Sequence, residues 1–177
     1  MTIAIRPATG GDVAAIDALL RRSFPAADEA NLVRQLCIDG DMVLTLVADD
    51  DETGALAGMV AFSRMAVAVN DVPLAAVALA PVAVETAYRQ QGVAEALIAA
   101  GHQHLGDAGY LLSFVLGDPA YYGRFGYAAD LARGFDSPYA GEYLMALALR
   151  AGKVPCGVRG VAAHAGAFAA LGEQAEA

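Results

Sequence analysis

One stretch of the chain combines a strand, a glycine-containing turn and the start of a helix. An uncharged run, Val72–Val84, comes first. The turn Arg89–Ala94 follows it, and Glu95–Ala100 is rich in good helix formers. The first N–H groups of a helix have no intrahelical partner, and they carry the positive end of the helix dipole. This arrangement therefore predicts an anion site that holds a pyrophosphate without needing many basic side chains.

The spacing of apolar residues along the chain predicts two helices before most of the strands of a sheet. Pro81 lies near the end of the strand that precedes the turn. Because proline cannot donate to a ladder, it indicates an edge, a bulge or a splayed position. The order of the elements predicts an α/β fold with a sheet of mixed direction. The predicted strands are Thr2–Arg6, Met42–Ala48, Leu56–Arg64, Leu74–Val84, Leu111–Leu116 and Tyr143–Leu149, and the predicted helices are Asp12–Ser23, Asp28–Ile38, Gln91–Gly106 and a short turn over Ala120–Arg124.

Size and composition favour one compact domain. The chain has 177 residues, of which 57% are hydrophobic and 18% are charged, and a chain of this kind can bury a proper core. We predict a single domain over residues 1–171 and a disordered tail over residues 172–177. The formal net charge of -9 argues against a nucleic-acid partner, which requires a basic surface. An acidic surface would instead attract amines.

The sequence predicts neither a membrane partner nor a metal site. No charged segment precedes an apolar one at the N-terminus, and Val72–Val84 is shorter than the roughly 20 residues of a membrane span, so we expect a cytoplasmic protein. Cys37 and Cys156 form no metal-ligand pair and are interpreted as buried free thiols. His102 and His104 lie two residues apart on a predicted helix and share no face, so no metal ligands are assigned.

Two segments carry motifs of a known family. In Leu79–Ile98, the order Arg89-Gln90-Gln91-Gly92-Val93-Ala94 stands between a strand and a helix. It resembles the acyl-CoA-binding motif of the GNAT superfamily of N-acetyltransferases, with Ala94 where a second glycine is usual. Asp118–Tyr127 resembles the Tyr-x-x-x-Gly-Phe/Tyr signature after the fifth strand, and it is most similar to the YhbS-like branch of predicted small acetyltransferases. The resemblance implies a single-domain mixed, mostly antiparallel sheet with splayed central strands, flanked by helices.

The resemblance also implies where a cofactor lies. In the family, the pantetheine arm pairs with the backbone of the fourth strand like an added strand, and the pyrophosphate rests on amides at the helix start. Gly92 permits a close approach of the backbone. Arg89 is expected either to add a charge-assisted contact or to face solvent. The implied cofactor-binding residues are Val82, Ala83, Val84, Arg89, Gln90, Gln91, Gly92, Val93 and Ala94.

The implied reaction is acetyl transfer from acetyl-CoA to a primary amine, by direct attack through a tetrahedral intermediate. Tyr122 matches the family tyrosine that protonates the departing thiolate, and its neighbour Tyr121 competes for that role. A backbone N–H near Val84 is the expected donor to the oxyanion. Glu85 is either a base that acts through water or a solvated loop residue. Asp118 is interpreted as a helix cap rather than a catalytic group.

The acceptor and the alternatives stay open at this stage. In the superfamily the acceptor enters beside the first two helices, where Phe24 would be a wall and Asp28 or Glu29 would attract an ammonium. The competing interpretation is an interhelix loop with Asp28 as an N-cap. A non-catalytic acyl-CoA sensor and an enzyme for longer acyl chains are alternative functions. A homodimer is also considered, since apolar late strands can pair across a two-fold axis.

Overall fold

The computed structural model describes residues Thr2 to Leu171. The predicted tail over residues 172–177 lies outside the described residues. Within them the chain forms seven strands and five α-helices, with short 3-10 turns between some of them. The strands are β1 (Ile3–Pro7), β2 (Met42–Asp50), β3 (Leu56–Val69), β4 (Val72–Val84), β5 (Leu112–Leu116), β6 (Leu144–Ala148) and β7 (Arg159–His164), and the helices are α1 (Val13–Ser23), α2 (Asp28–Asp39), α3 (Val93–Asp107), α4 (Pro119–Tyr122) and α5 (Ala129–Ala132).

The strands form a sheet in which hydrogen-bonded neighbours follow the order β1-β2-β3-β4-β5-β6, and β7 also pairs with β3. The β1–β2, β3–β7 and β5–β6 ladders are antiparallel. The β4–β5 ladder is parallel and joins Ala76 to Leu112 at one end and Ala78 to Phe114 at the other. The predicted mixed, mostly antiparallel sheet is therefore confirmed.

The β4–β5 ladder ends well before β4 does. Its last pair is Ala78 with Phe114, whereas β4 continues to Val84. Pro81 lies in this continuation and follows a cis peptide bond from Ala80. Because proline has no N–H to donate, its place beyond the ladder agrees with the splayed position that the sequence predicts.

The described residues divide into two compact units. The first contains the chain up to Phe62, Ala80–Gly101 and the segment from Gly166 onward. The second contains Ser63–Leu79 and His102–Ala165. Strands β3 and β4 and helix α3 each contribute residues to both units. The single domain over residues 1–171 stays a prediction.

In the first unit, successive residues of β3 face opposite sides of the sheet. Met59 and Ala61 pack in a core cluster with residues of α1 and α2. On the other face, a Cβ built at Gly58 would lie 3.2 Å from the Leu97 side chain of α3. Helices therefore cover both faces, as predicted. The core cluster contains Ile16, Leu19, Leu20, Ala30, Val47, Met59, Ala61 and Ala83.

In the second unit, a hairpin turn and a long loop are joined by one side chain. Asn70 and Asp71 have φ angles of 53° and 61°, the left-handed conformation of a tight turn between β3 and β4. The Asn70 amide donates to the carbonyl of Cys156 at 3.2 Å and accepts from the N–H of Val158 at 2.8 Å. The late loop is thereby fixed to the turn.

Two predictions about strands are wrong. β3 is expected to end at Arg64 but continues to Val69, because the alternation persists, with Arg64 exposed and Met65 buried. β7 is not predicted, since the segment Arg159–His164 lies in a Gly/Ala-rich region of low β propensity. Its pairing with β3, from Met65 opposite His164, stabilises it instead.

Candidate functional site

The segment Glu85–Gly92, here called the anion loop, connects β4 to α3. Gln90 and Gly92 adopt the left-handed region, with φ angles of 59° and 80°. This conformation carries little energetic penalty for glycine, whereas it is less favourable for other residues by about 1–2 kcal/mol. Because it interrupts helical geometry, α3 begins at Val93 and not at the predicted Gln91.

The start of α3 offers backbone donors that the helix does not use. The N–H of Ala96 donates to the carbonyl of Gly92 at 3.0 Å, which is the first turn of the helix. The amides of Gly92–Ala94 precede this bond and have no acceptor within the helix. They also carry the positive end of the helix dipole. Of the amides predicted to bind a pyrophosphate, these three lie at the helix start, and those of Gln90 and Gln91 lie in the loop before it.

Two of the predicted cofactor ligands use their side chains to hold the loop itself. The Arg89 Nε donates to the carbonyl of Val84 at 3.1 Å. The Gln91 Nε2 donates to the carbonyl of Ala87 at 3.0 Å. Arg89 is exposed yet bonded to the backbone, so it is not simply solvated, and its phosphate contact stays a prediction.

The end of β4 presents the three residues that are predicted to pair with pantetheine. Ala83 is 5% exposed and packs in the core cluster, so Val82 and Val84 face the other side of the strand. The N–H of Glu85 donates to the carbonyl of Ala57 at 2.8 Å. This amide is therefore engaged, and the prediction of a backbone N–H near Val84 as donor to the oxyanion must be met by another amide, for which the N–H of Val84 is the candidate.

Gly58 of β3 sets how closely the end of β4 packs against β3. A Cβ built at this residue would lie 2.9 Å from the carbonyl oxygen of Ala83 and 3.2 Å from the Val93 side chain. A glycine is therefore required unless β4 or α3 moves. Gly58 is not among the residues predicted from the sequence, although a glycine inside an apolar strand is a signal of close backbone approach.

Helix α4 begins with the cap that the sequence predicts. The Asp118 Oδ1 accepts the N–H of Ala120 at 2.9 Å, and Pro119 occupies the first helical position. The carbonyl of Asp118 accepts the N–H of Tyr122 at 3.0 Å. The interpretation of Asp118 as a cap is confirmed, and it fixes the backbone that carries Tyr122.

Tyr122 and Tyr121 have different surroundings in the second unit. The Tyr122 ring lies over Gly117, where a Cβ would come within 2.5 Å of the ring, and it meets the Tyr127 ring edge-on at 6.0 Å. Tyr121 meets Phe125 edge-on at 5.6 Å. Burial raises the pKa of Tyr122 above its ordinary value, and Tyr121 adds to the effect. The Tyr122 phenol is therefore protonated at neutral pH.

A buried hydrogen-bond chain lies beside Tyr122. The hydroxyl of Tyr127 lies 2.8 Å from the Nε2 of His102 and 2.8 Å from the Oγ of Ser113. Burial lowers the pKa of His102 to about 4, so its ring is neutral at pH 7. From the sequence, His102 is considered only as a metal ligand and is not assigned as one, because its contact with Tyr127 is not visible from residue spacing.

The stability of the second unit is expected to fall in mild acid. Burial lowers the pKa values of His102 and His164 to about 4, below the ordinary value of about 6.5. As the pH drops, these two histidines are therefore protonated in the unfolded chain before they are protonated in the folded protein. The free energy of unfolding falls between about pH 6.5 and about pH 4. Thermal unfolding at about pH 7.5 and about pH 5 should show a lower Tm at the lower pH.

Two substitutions control this experiment. His102→Gln should reduce the difference in Tm between the two pH values, because glutamine does not titrate. His104→Gln changes an exposed residue of the same helix and should leave the difference intact. Equal Tm values for the unaltered protein at both pH values would contradict the linkage.

Glu85 is ion-paired, which changes both of its predicted roles. Its Oε2 lies 2.6 Å from the Nη2 of Arg22, and its Oε1 accepts the N–H of Thr86 at 3.3 Å. The Arg22 guanidinium holds the pKa of Glu85 below its ordinary value. A lowered pKa makes the carboxylate a weaker base. Its bond to α1 also means that Glu85 is not a freely solvated loop residue.

The residues between α1 and α2, where an acceptor is expected, contribute partly to the core. Phe24 packs against the core cluster. Ala27 is the N-cap of α2 and Asp28 is its first residue, so the prediction of Asp28 as N-cap is wrong. Asp28 and Glu29 place two acidic groups in the first turn, where the helix dipole stabilises them.

A groove of about 1000 Å³ is lined by α1, α2 and β2.

Neither a membrane span nor a metal cluster is found in the part of the chain that the structure describes. From Thr2 to Leu171, no helix is both long and apolar enough to cross a bilayer. No group of three His, Cys, Asp or Glu in that range is placed to hold a metal ion. Cys37 and Cys156 are free but exposed, not buried as predicted. For Cys37 the reason is the helix periodicity of α2, which turns Leu36 inward and its neighbour outward.

Comparison with known sequences identifies the family. Residues 4–129 match the acetyltransferase (GNAT) domain. Over 116 residues the chain is 49% identical to the uncharacterized N-acetyltransferase YhbS of Escherichia coli (strain K12), which covers 66% of this chain and 68% of YhbS. Over 124 residues it is 36% identical to the uncharacterized N-acetyltransferase YjhQ of the same organism, covering 67% of this chain and 66% of YjhQ.

Solved structures agree with the sequence comparison. The GNAT family N-acetyltransferase YhbS from Escherichia coli in complex with CoA has a TM-score of 0.79 at 37% identity, covering 90% of this chain and 89% of that one. A GNAT family acetyltransferase from Brucella melitensis in complex with acetyl-CoA has a TM-score of 0.71 at 28% identity, covering 94% and 98%. With its strand, anion loop and helix in the order of the family motif, the chain belongs to the GNAT family of N-acetyltransferases.

Proposed function

We propose that the protein transfers an acetyl group from acetyl-CoA to a primary amine by direct attack, through a tetrahedral intermediate. The observation that carries the proposal is the start of α3, where the amides of Gly92–Ala94 stand at the end of the family motif. The similar proteins from Escherichia coli and Brucella melitensis hold CoA and acetyl-CoA in their crystals, which supports the same donor here. The donor brings an activated acyl group, so no covalent intermediate on the protein is required.

The anion loop and the end of β4 are the proposed CoA-binding residues. The pyrophosphate would accept hydrogen bonds from Gly92–Ala94 and from the loop amides of Gln90 and Gln91. The pantetheine arm would pair with the backbone of Val82–Val84. Arg89 would leave its carbonyl partner for a phosphate oxygen, because a bond between two oppositely charged groups is stronger than a bond from a charged donor to a neutral acceptor. That exchange would also release the strand carbonyl for pantetheine.

Tyr122 is the proposed acid for the departing thiolate. Its raised pKa keeps the phenolic proton in place at neutral pH, so it can be donated as the C–S bond breaks. We assign Glu85 no role as a base, since it forms an ion pair with Arg22. Attack would then require an amine that arrives neutral or loses its proton to water, and close alignment with the thioester would supply much of the rate.

The acceptor is proposed to be a small molecule or protein with a primary amine. The net charge of -9 would attract a protonated amine to the surface. Because acetyl-CoA is an intracellular metabolite, we place the reaction in the cytoplasm, without a nucleic-acid or membrane partner. The homodimer stays a prediction that light scattering would test.

A direct assay tests the function. The purified protein would be incubated with acetyl-CoA and a panel of polyamines, amino acids, amino sugars and lysine peptides, with thiol release and acetylated product measured together. We expect equal amounts of free CoA and N-acetylated amine, formed only when protein and amine are both present. Acetyl-CoA binding without product from any amine would contradict catalysis and favour the acyl-CoA sensor. Faster transfer from longer acyl-CoA donors would show that the preferred donor is a longer acyl-CoA and not acetyl-CoA.

A further inference from the structure

Asp50, at the end of β2, is a buried acceptor rather than part of a solvated hairpin tip. Although it lies within a run of four acidic residues, Asp49–Glu52, it is only 6% exposed. Its Oδ1 accepts the N–H of Glu52 at 3.0 Å. Its Oδ2 accepts the hydroxyl of Thr53 at 3.0 Å and the hydroxyl of Tyr88 at 2.8 Å. The carboxylate therefore shapes its own turn and also holds a residue of the anion loop.

Tyr88 lies at the centre of the anion loop. It ends the 3-10 turn Thr86–Tyr88, and its N–H donates to the carbonyl of Glu85 at 2.8 Å. Its ring is half-buried, so the side chain leaves the loop and reaches β2. All of these residues belong to the first unit.

The loop is thus held by side chains from two other elements. Arg22 of α1 bonds Glu85 at the first residue of the loop, and Asp50 of β2 bonds Tyr88 in its middle. Between Tyr88 and α3 the backbone must pass through the left-handed conformations of Gln90 and Gly92. The direction of the amides at the start of α3 depends on that path.

Fixing such a path before a ligand arrives removes an entropic cost from binding. A loop that is free in the unbound protein must be ordered when the ligand binds. The free energy of that ordering opposes binding and weakens the affinity for the ligand. The hydrogen bond to an ionised carboxylate is a strong one. Since the carboxylate is buried, water competes poorly for the Tyr88 hydroxyl.

We propose that Tyr88 is a positioning residue for the donor: through its bond to Asp50 it holds the anion loop in the conformation that binds the CoA pyrophosphate. The inference rests on the proposed function and extends it to two residues that need not touch the reacting atoms. It assigns Tyr88 an effect on donor affinity and none on the chemical step.

Tyr88→Phe tests this role, because phenylalanine keeps the packed ring and loses only the hydroxyl. Titration calorimetry with CoA should show a Kd about tenfold higher than for the unaltered protein, as expected for the loss of one bond to a charged group. The KM for acetyl-CoA should rise similarly, while kcat at saturating donor should stay within about twofold. Tyr143→Phe removes the hydroxyl of a tyrosine that is 56% exposed and lies outside the loop, and it should change neither quantity.

Hydrogen exchange of the loop amides supplies a second measurement. In free Tyr88→Phe the amides of the anion loop should exchange faster than in the unaltered protein, and saturating CoA should restore their protection. Unchanged exchange, an unchanged Kd, or a fall in kcat at unchanged Kd would each overturn the positioning role. An unaltered protein that fails to bind CoA would instead reject the proposed function, so the two failures are distinguishable.

Discussion

Gly92→Asp is expected to weaken CoA binding by roughly 100-fold or more, since two like charges a few ångströms apart repel by several kcal/mol at a protein surface. The carboxylate would stand among the amides that the pyrophosphate requires, and it would also accept hydrogen bonds from them. Titration calorimetry with CoA measures the loss. Acetyl transfer at low donor concentration should fall by a similar factor.

Gly92→Asn is the matched control, with the same shape and no charge. Both side chains tolerate the left-handed conformation better than most residues, and a Cβ at Gly92 meets nothing within 4 Å. An acidic group in the first turn of a helix also stabilises it by about 0.3–1 kcal/mol, so both variants should fold. Gly92→Asn fills the same space without the charge, so it should bind CoA more weakly than the unaltered protein but at least about tenfold more tightly than Gly92→Asp. Equal affinity of Gly92→Asp and the unaltered protein would reject the anion site.

Tyr122→Phe is expected to lower kcat about 100-fold, the lower end of what a positioned acid contributes. The substitution keeps the ring that packs over Gly117 and edge-on to Tyr127, so the Kd for CoA should change little. Steady-state rates at saturating donor and amine, with calorimetry for the Kd, separate the two effects. Turnover equal to that of the unaltered protein would eliminate the acid role.

Tyr121→Phe is the control for the neighbouring ring and should retain most of the activity. The pH dependence gives a second readout. Because burial raises the pKa of Tyr122, its proton is held throughout the neutral range and is lost only in strong alkali. The rate should therefore show no fall from Tyr122 ionisation up to about pH 9. If Tyr121→Phe loses kcat and Tyr122→Phe does not, the assignment is reversed.

The parts of the fold that follow from short stretches of sequence are the ones that could be predicted. The cap of α4 needs only Asp118 and the two residues after it, and a helix after the turn around Gly92 follows from its helix-forming residues. The first residue of α3 does not follow in the same way, because the left-handed conformations of Gln90 and Gly92 delay it from the predicted Gln91 to Val93. The extension of β3 and the existence of β7 depend on pairing between segments far apart in the chain. Weak local propensity in β7 is overcome by that pairing.

The candidate site divides in the same way. The order of strand, loop and helix around the proposed donor site could be predicted, because these segments are consecutive in the chain. The bonds that hold them could not, because Tyr88 lies 38 residues from Asp50 and Arg22 lies 63 residues from Glu85. From the sequence alone, the Asp50 carboxylate could equally be solvated. Only the folded structure brings the Tyr88 hydroxyl to it.

If the end of β4 binds the donor as proposed, a substitution at Gly58, within the core, is expected to alter donor affinity. The methyl group of an alanine at this position would meet the Ala83 carbonyl oxygen at 2.9 Å, and β4 would have to shift to relieve the overlap. Such a shift would re-aim the backbone groups on either side of Ala83 without replacing any of them. Tuning of the donor site in proteins built this way therefore need not be confined to the surface that meets the donor.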